Sequence, residues 1–335
     1  MKDNQAIRSP ARTFARTVTV VLLGVIVLGI AWSNLPVLQT HALPALNLPF
    51  IHANFVLGTV AKDSAAAGYG LRTGDNVDLR SLPLQDRLKI MNRIGRLTIQ
   101  KVGRPGELIH FTVTRAGSQV AIRARVPSPS PGSPYAVIIK RIAGTLSVIF
   151  TAMLLLLKPT RMLWGFYLFI LGETAPTPFV FDLLPATLQV ILSDTFNALV
   201  PSILFCAGLL GFVSRFPGDV AKGWRIQLDR AAIPLGLLVA LITVGDDILW
   251  QSAIPHPEFF DYLSAALPDA IIVVALVCLI SGLARLSSVD RQRLKWVVAG
   301  MCVFLATRAY FQVAPAYWGV TSGGWFQGWP QSWTN

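Results

Sequence analysis

Six polar side chains interrupt long apolar runs: Glu173, Asp194, Asn197, Asp246, Asp247 and Arg308. A charge near the centre of a membrane helix costs about 2.5–3.5 kcal/mol on insertion scales, so one kept there binds, pairs or relays something. Glu173 lies in "LGETAPTP", where Pro176 and Pro178 break the helix behind it. Asp194 and Asn197 fall near the end of one run, Asp246 and Asp247 near the end of the next, and Arg308 inside the last. The six could line a polar cavity open to one side, a site for a small signal molecule. The plainer alternative is that Asp194, Asp246 and Asp247 reach the headgroup layer.

Catalytic chemistry finds little support in the residue pattern. The four histidines, His41, His52, His110 and His256, lie outside the apolar runs, and none belongs to an HExxH pair. No nucleophile motif falls in an apolar run, and no phosphate-binding loop occurs. Cys206, Cys278 and Cys302 sit inside apolar runs, where they read as small core residues rather than a disulfide or zinc framework. The expectation is a protein that is not an enzyme, with no catalytic residue, metal or cofactor.

The elements that must carry these residues follow from composition. The 335-residue chain is 53% hydrophobic and 14% charged, against about 25% charged in an average soluble domain, so it reads as an integral membrane protein. A helix needs about 20 apolar residues to cross a bilayer. Seven stretches qualify: Thr17–Trp32, Ala136–Leu157, Leu163–Phe181, Leu188–Val213, Ala231–Trp250, Pro268–Leu286 and Trp296–Val313. The first follows Lys2, Arg8, Arg12 and Arg16, and reads as an uncleaved signal anchor over residues 17–33, with a cleaved signal peptide as the alternative. Basic residues cluster before the first stretch, at Lys158 and Arg161, from Arg215 to Arg230, and from Arg285 to Lys295, all on one side if the spans alternate. The short loops on the other side carry no Lys or Arg. The positive-inside rule then puts residues 1–16 in the cytoplasm, and the long region between the first two spans outside with the C-terminus. The net charge of +12 therefore belongs to membrane placement, and nucleic acid is not an expected partner.

Residues 50–126 read as a small folded domain. "FVLGTV" (Phe55–Val60) suggests a strand, and Ser64 opens a short alanine helix. Gly68, Gly70 and Gly74 mark turns that call for positive φ. Leu84, Leu88 and Met91 recur at helical spacing, and Ile109 to Val113 and Val120 to Val126 alternate around a turn at Ala116–Gly117, a hairpin. "PSPSPGSP" (Pro127–Pro134) makes residues 127–135 a stiff linker into the membrane region, 136–313, and a Trp-rich interfacial tail fills 314–335.

The run "SAAAGYGLRTGDNV" resembles the PDZ domains of bacterial envelope proteins. Gly68, Gly70, Leu71, Gly74, Asp75 and Val77 match that family's pattern, with Tyr69–Gly70 as an insertion. With the seven apolar stretches and the charge asymmetry, the resemblance implies an α-helical polytopic membrane protein of about seven crossings with an inserted α+β PDZ-like periplasmic domain. A PDZ domain adds a peptide strand to a sheet edge and takes a terminal carboxylate in a backbone nest. No segment here matches the family's carboxylate loop, so a structural spacer is the competing role.

"SSVDRQRLKWVVAG" (Ser287–Gly300) is similar to the last cytoplasmic loop of bacterial multi-spanning sensor histidine kinases, including quorum-sensing receptors. Physically, Arg291, Arg293 and Lys295 suit anionic membrane lipids, and Trp296 suits the interface. The combined resemblance implies a sensor or receptor input module of a bacterial inner membrane, answering a peptide or small-molecule signal. The kinase domain of those relatives would come from a truncated part of the chain or from a separately encoded cytoplasmic kinase or response partner. An envelope adaptor that presents the PDZ-like domain to a periplasmic protein or protease is the alternative.

Overall fold

The computed structural model describes residues 10–33, 48, 55–60, 62, 64–90, 106–126, 134–175, 184 and 186–318. Long helices dominate: α1 (Pro10–Ser33), α4 (Pro134–Leu157), α5 (Arg161–Thr174), α6 (Ala186–Arg215), α7 (Arg225–Gln251), α8 (Glu258–Ala284) and α9 (Ser288–Trp318). Between α1 and α4 come the short helices α2 (Ala65–Gly68) and α3 (Leu84–Ile90) and the strands β1 (Asn76–Val77), β2 (Leu108–Arg115) and β3 (Ser118–Arg125). The chain forms two compact units divided inside α7: residues 1–43, 96–98 and 129–240, and residues 44–95, 99–128 and 241–335.

Among the described residues, three helices are long and apolar enough to cross a membrane, at Thr13–Trp32, Arg225–Gln251 and Ala266–Ala284. Shorter apolar stretches occupy Arg141–Leu157, Leu199–Arg215 and Leu294–Thr307. The expected spans therefore coincide with helices, but their apolar lengths differ. Leu163–Phe181 is helical to Thr174, and its remainder from 176 lies outside the described residues. The last helix runs past the expected end at Val313 to Trp318, and the rest of the Trp-rich tail lies outside the described residues, as do positions 1–9 and 127–133. Exposed apolar stripes at helical spacing run along α4 (Ile142, Leu146, Phe150, Met153) and α8 (Val273, Val277, Ile280). Such faces suit hydrocarbon.

In the first unit, α5 and α6 pack most closely, and small residues explain why. A Cβ added at Gly165 would lie 2.5 Å from the Phe212 nitrogen, and one at Gly172 would lie 2.5 Å from the Phe205 nitrogen. Gly208 likewise faces the Phe169 backbone. Backbone meets backbone where no side chain intervenes. Thr160 caps α5 by accepting from the Leu163 nitrogen at 3.2 Å. The Tyr167 hydroxyl, buried against α1, donates to the Val20 carbonyl at 2.7 Å.

In the second unit, the three strands form an antiparallel sheet in the order β1-β2-β3. β2 and β3 pair from Leu108↔Arg125 to Arg115↔Ser118, so the expected hairpin forms. Ala116 and Gly117 both take positive φ at its turn, as a two-residue hairpin requires. Period-2 alternation buries Ile109, Phe111 and Val113 on one strand and Ile122 and Ala124 on the next. "FVLGTV" does not form a strand of this sheet. Val56 makes a single bridge to Asn76, with Leu57 donating to the Asp75 carbonyl at 2.8 Å. Phe55 takes φ 59°, which bends the backbone away from a continuous ladder. Ser64 caps α2 as expected, accepting from the Ala67 nitrogen. Gly70 and Gly74 take φ 80° and 87°, whereas Gly68 closes α2 without positive φ, against expectation. α3 covers Leu84 to Ile90, while Met91 lies outside the described residues.

Candidate functional site

The core beneath the sheet is not made by the α/β residues alone. Trp250 and Ala253, from the end of α7 and the turn after it, are buried in the same cluster as Phe55, Leu57, Leu79 and Ile90. The Trp250 ring meets the Phe55 ring edge to face, 5.5 Å between centroids. A helix long and apolar enough to cross a membrane thus ends inside the small fold's core.

The local sequence explains how α7 ends there. The Ile254 nitrogen donates to the Leu249 carbonyl and the Ala253 nitrogen to the Trp250 carbonyl, both at 3.0 Å. Ala253 has φ 51°. This is the Schellman arrangement, in which the left-handed position is most often glycine. An alanine there is strained, and its burial against the α/β core offsets that strain.

Two arginines from the α/β portion then reach the helix end. Arg80 Nε donates to the Ala253 carbonyl at 3.0 Å, and Arg87 Nη1 donates to the Gln251 carbonyl at 2.9 Å. The last carbonyls of a helix lack intrahelical donors and carry the negative end of its dipole, so two guanidinium groups fit there by geometry and by charge. Burial lowers the Arg87 guanidinium from its ordinary value, the cost of seating a cation in this junction.

A second polar group lies just below. Asp246 and His256 are buried, at 5% and 8% exposure. Ser264 on α8 donates to Asp246 Oδ2 at 2.8 Å, and His256 Nε2 lies 3.5 Å from Asp246 Oδ1. His256 Nδ1 lies 2.9 Å from the Ile254 carbonyl, and the Trp250 and Phe260 rings flank the imidazole edge-on.

The turn that carries the PDZ resemblance is fastened separately. Asp75, 1% exposed, accepts Arg115 Nε on Oδ1 at 2.8 Å and Arg115 Nη2 on Oδ2 at 2.7 Å. Its Oδ2 also accepts the Arg72 nitrogen at 2.9 Å. Hydrogen bonding from Arg115 is the main reason that Asp75 sits below the ordinary carboxyl range. Arg115 also donates to the Gly70 carbonyl at 2.7 Å, and Leu71 is buried beside them. This is a structural clasp, with Gly70 and Gly74 supplying the bends.

The six polar residues singled out by sequence fall in different units. Glu173 is half-buried in α5, and Asp194 and Asn197 lie on α6, all in the first unit. Asp246, Asp247 and Arg308 belong to the second. The side chains of Asp194, Asn197, Arg293 and Arg308 lie outside the described ones. Asp246 is drawn into the cluster with Ser264 and His256, while Asp247 beside it is half-buried.

The expected loop Ser287–Gly300 is helical from Ser288, so Arg291, Arg293, Lys295 and Trp296 lie at the start of α9, and several of the basic residues between helices have internal tasks. Arg291 Nη2 donates to the Ala284 and Leu286 carbonyls, closing the end of α8. Lys295 lies 5.4 Å from the Trp296 ring, which is 75% exposed. Arg215 pairs with Asp229 at 2.6 Å, and the buried Arg225 donates to the Phe216 carbonyl.

Sequence reasoning missed Trp250, Arg80, Arg87, Arg115 and His256. A tryptophan at a predicted span end reads as an interface anchor, so its place in a folded core had no separate signal. His256 lay in a loop without a partner pattern. No family model, curated protein or solved structure matches this chain.

Proposed function

We propose that this chain is the signal-input module of a bacterial inner-membrane receptor. Its α/β portion is a PDZ-like domain in the periplasm, and about seven helices cross the membrane with the N-terminus in the cytoplasm. The observation that carries the reading is the shared core: Trp250, in the last turn of a helix apolar enough to cross, and Ala253, in the turn after it, sit among the buried residues of the α/β portion. A peptide or small molecule that shifts the α/β portion would then pull on the ends of α7 and α8. A spacer that only held the sheet away from the bilayer would not need to share its core with a helix end. In this reading Asp246 serves the junction, and Glu173 is the better candidate for direct contact with a signal.

Photo-crosslinking in cells tests the assignment. A photoreactive residue at Arg291 is expected to trap a cytoplasmic kinase or response protein, because in this reading the start of α9 faces the output side. Adducts that form from His110 on exposed β2 with an envelope protein, and never from Arg291, would favour the adaptor reading instead.

A further inference from the structure

We propose that the two turns joining α4 to α5 and α6 to α7 bind the headgroup of an anionic phospholipid, whose acyl chains lie along α7. The inference needs only that α7 crosses a membrane, so it stands or falls apart from the receptor reading.

One hydrogen bond brings the two turns together. Met162, in the first turn of α5, donates its backbone nitrogen to Asp219 Oδ1 at 2.6 Å. That contact sets Lys158 and Arg161, which flank the first turn, beside the turn that carries Lys222. Arg230 follows in the second turn of α7. Lys158, Arg161, Lys222 and Arg230 are all exposed, and none of them forms an ion pair with a described residue.

The local carboxylates do not balance this charge. Residues 157–162 and 214–230 hold six basic residues against two acidic ones, Asp219 and Asp229. Asp219 is turned onto the Met162 nitrogen, and Asp229 accepts from Ser214 and Arg215. Lysine and arginine donors left at such a surface suit phosphate oxygens.

The apolar neighbours favour a lipid over an acidic protein segment. Val220 and Trp224 are exposed among the cations. The Arg225 guanidinium lies 6.0 Å from the centroid of the Trp224 ring and donates to the Phe216 carbonyl at 2.7 Å, so the indole has a fixed neighbour. Indoles are enriched at the headgroup level. On α7, Ile226, Arg230, Ile233 and Leu237 follow helical spacing and share one face, and the three apolar ones are exposed. A cation on an exposed apolar stripe, at the start of a helix apolar enough to cross, matches a phosphate with acyl chains attached. An acidic peptide would use the cations and leave the stripe bare.

Native mass spectrometry of the full chain tests the site, with phosphatidylglycerol and phosphatidylcholine of identical acyl chains as probes. The wild-type chain is expected to retain phosphatidylglycerol in preference. Lys222→Gln/Arg230→Gln is expected to weaken that retention about fivefold for each cation removed, the factor that corresponds to ~1 kcal/mol per basic residue at an anionic surface. Arg123→Gln/Arg125→Gln removes the same charge from exposed positions on β3 and is expected to leave retention unchanged. Glycerol phosphate, a headgroup without chains, and polyglutamate are expected not to displace the lipid. A wild-type chain without preference overturns the proposal, as does an equal loss in both double variants or in neither. Displacement by glycerol phosphate overturns it in favour of a plain phosphate site, and displacement by polyglutamate in favour of an acidic protein partner.

Discussion

The rings of Phe55 and Trp250 cross at 88° with 5.5 Å between their centroids, joining the start of the "FVLGTV" run to the last turn of α7. Edge-to-face pairs add about 0.5–1.5 kcal/mol beyond the area they bury. Trp250→Ala leaves a large void in this core and is expected to cost about 3–5 kcal/mol. Trp250→Phe refills part of the space and should cost less. Thermal unfolding of the full chain in detergent, followed through the α/β amides, checks the order of the two variants.

The Asp75–Arg115 clasp predicts an acid-sensitive fold. The carboxyl of Asp75 is lowered in the folded chain, chiefly by the Arg115 hydrogen bonds. A depressed carboxyl contributes stability that is present above its unfolded value, about 3.9, and is lost as pH falls through the lower folded value. The clasp should therefore be intact at neutral pH and fail in acid. Asp75→Asn is expected to lower the melting temperature by several degrees at pH 7 and to flatten its fall in acid. An acid profile identical to wild type would contradict this role for Asp75.

The glycines of the turn should behave unequally. Gly74 has φ 87°, where a β-branched side chain is strongly disfavoured, so Gly74→Val should unfold the α/β portion. Gly68 ends α2, and a Cβ there meets nothing within 4 Å. Gly68→Ala should be neutral or stabilise by up to about 1 kcal/mol. Denaturant melts of both variants check the contrast.

Close approach of α5 and α6 gives a prediction in the other unit. Gly172→Leu drives a side chain against the Phe205 backbone, and overpacking of this kind costs about 1–3 kcal/mol or more. Gly211→Ala, whose Cβ would meet only Gly165 Cα at 3.9 Å, should be tolerated. Yield of folded protein by size-exclusion chromatography separates the two.

The hairpin, the capped α2 and the positions of the long helices were legible because each is written in local periodicity, in a capping serine or in turn residues. Ile109, Phe111 and Val113 declare their buried face by alternation alone. The junction was not legible, because its partners lie far apart in the chain. Trp250 and Arg80 meet through the fold, and neither carries a spacing signal. The end of α7 also lacks its usual punctuation, with Ala253 at the position where glycine is commonest. Asp246 drew notice as an ionisable residue in an apolar run, but its partner His256 sits beyond the helix and gave no pattern to join them. The α/β core looked self-contained in sequence, and Trp250 and Ala253 complete it.

The central claim is that movement of the α/β portion reaches the helices through the junction. The direct measurement compares hydrogen exchange in the wild-type chain and in Arg80→Gln/Arg87→Gln, both in nanodiscs. The double variant removes both guanidinium donors from the end of α7 and leaves the sheet untouched. Faster exchange is predicted at residues 55–60 and also at 285–296, the turn after α8 and the first turns of α9. Faster exchange at 55–60 with no change at 285–296 would show that the α/β portion rides on the helices without acting on them, and would contradict the account.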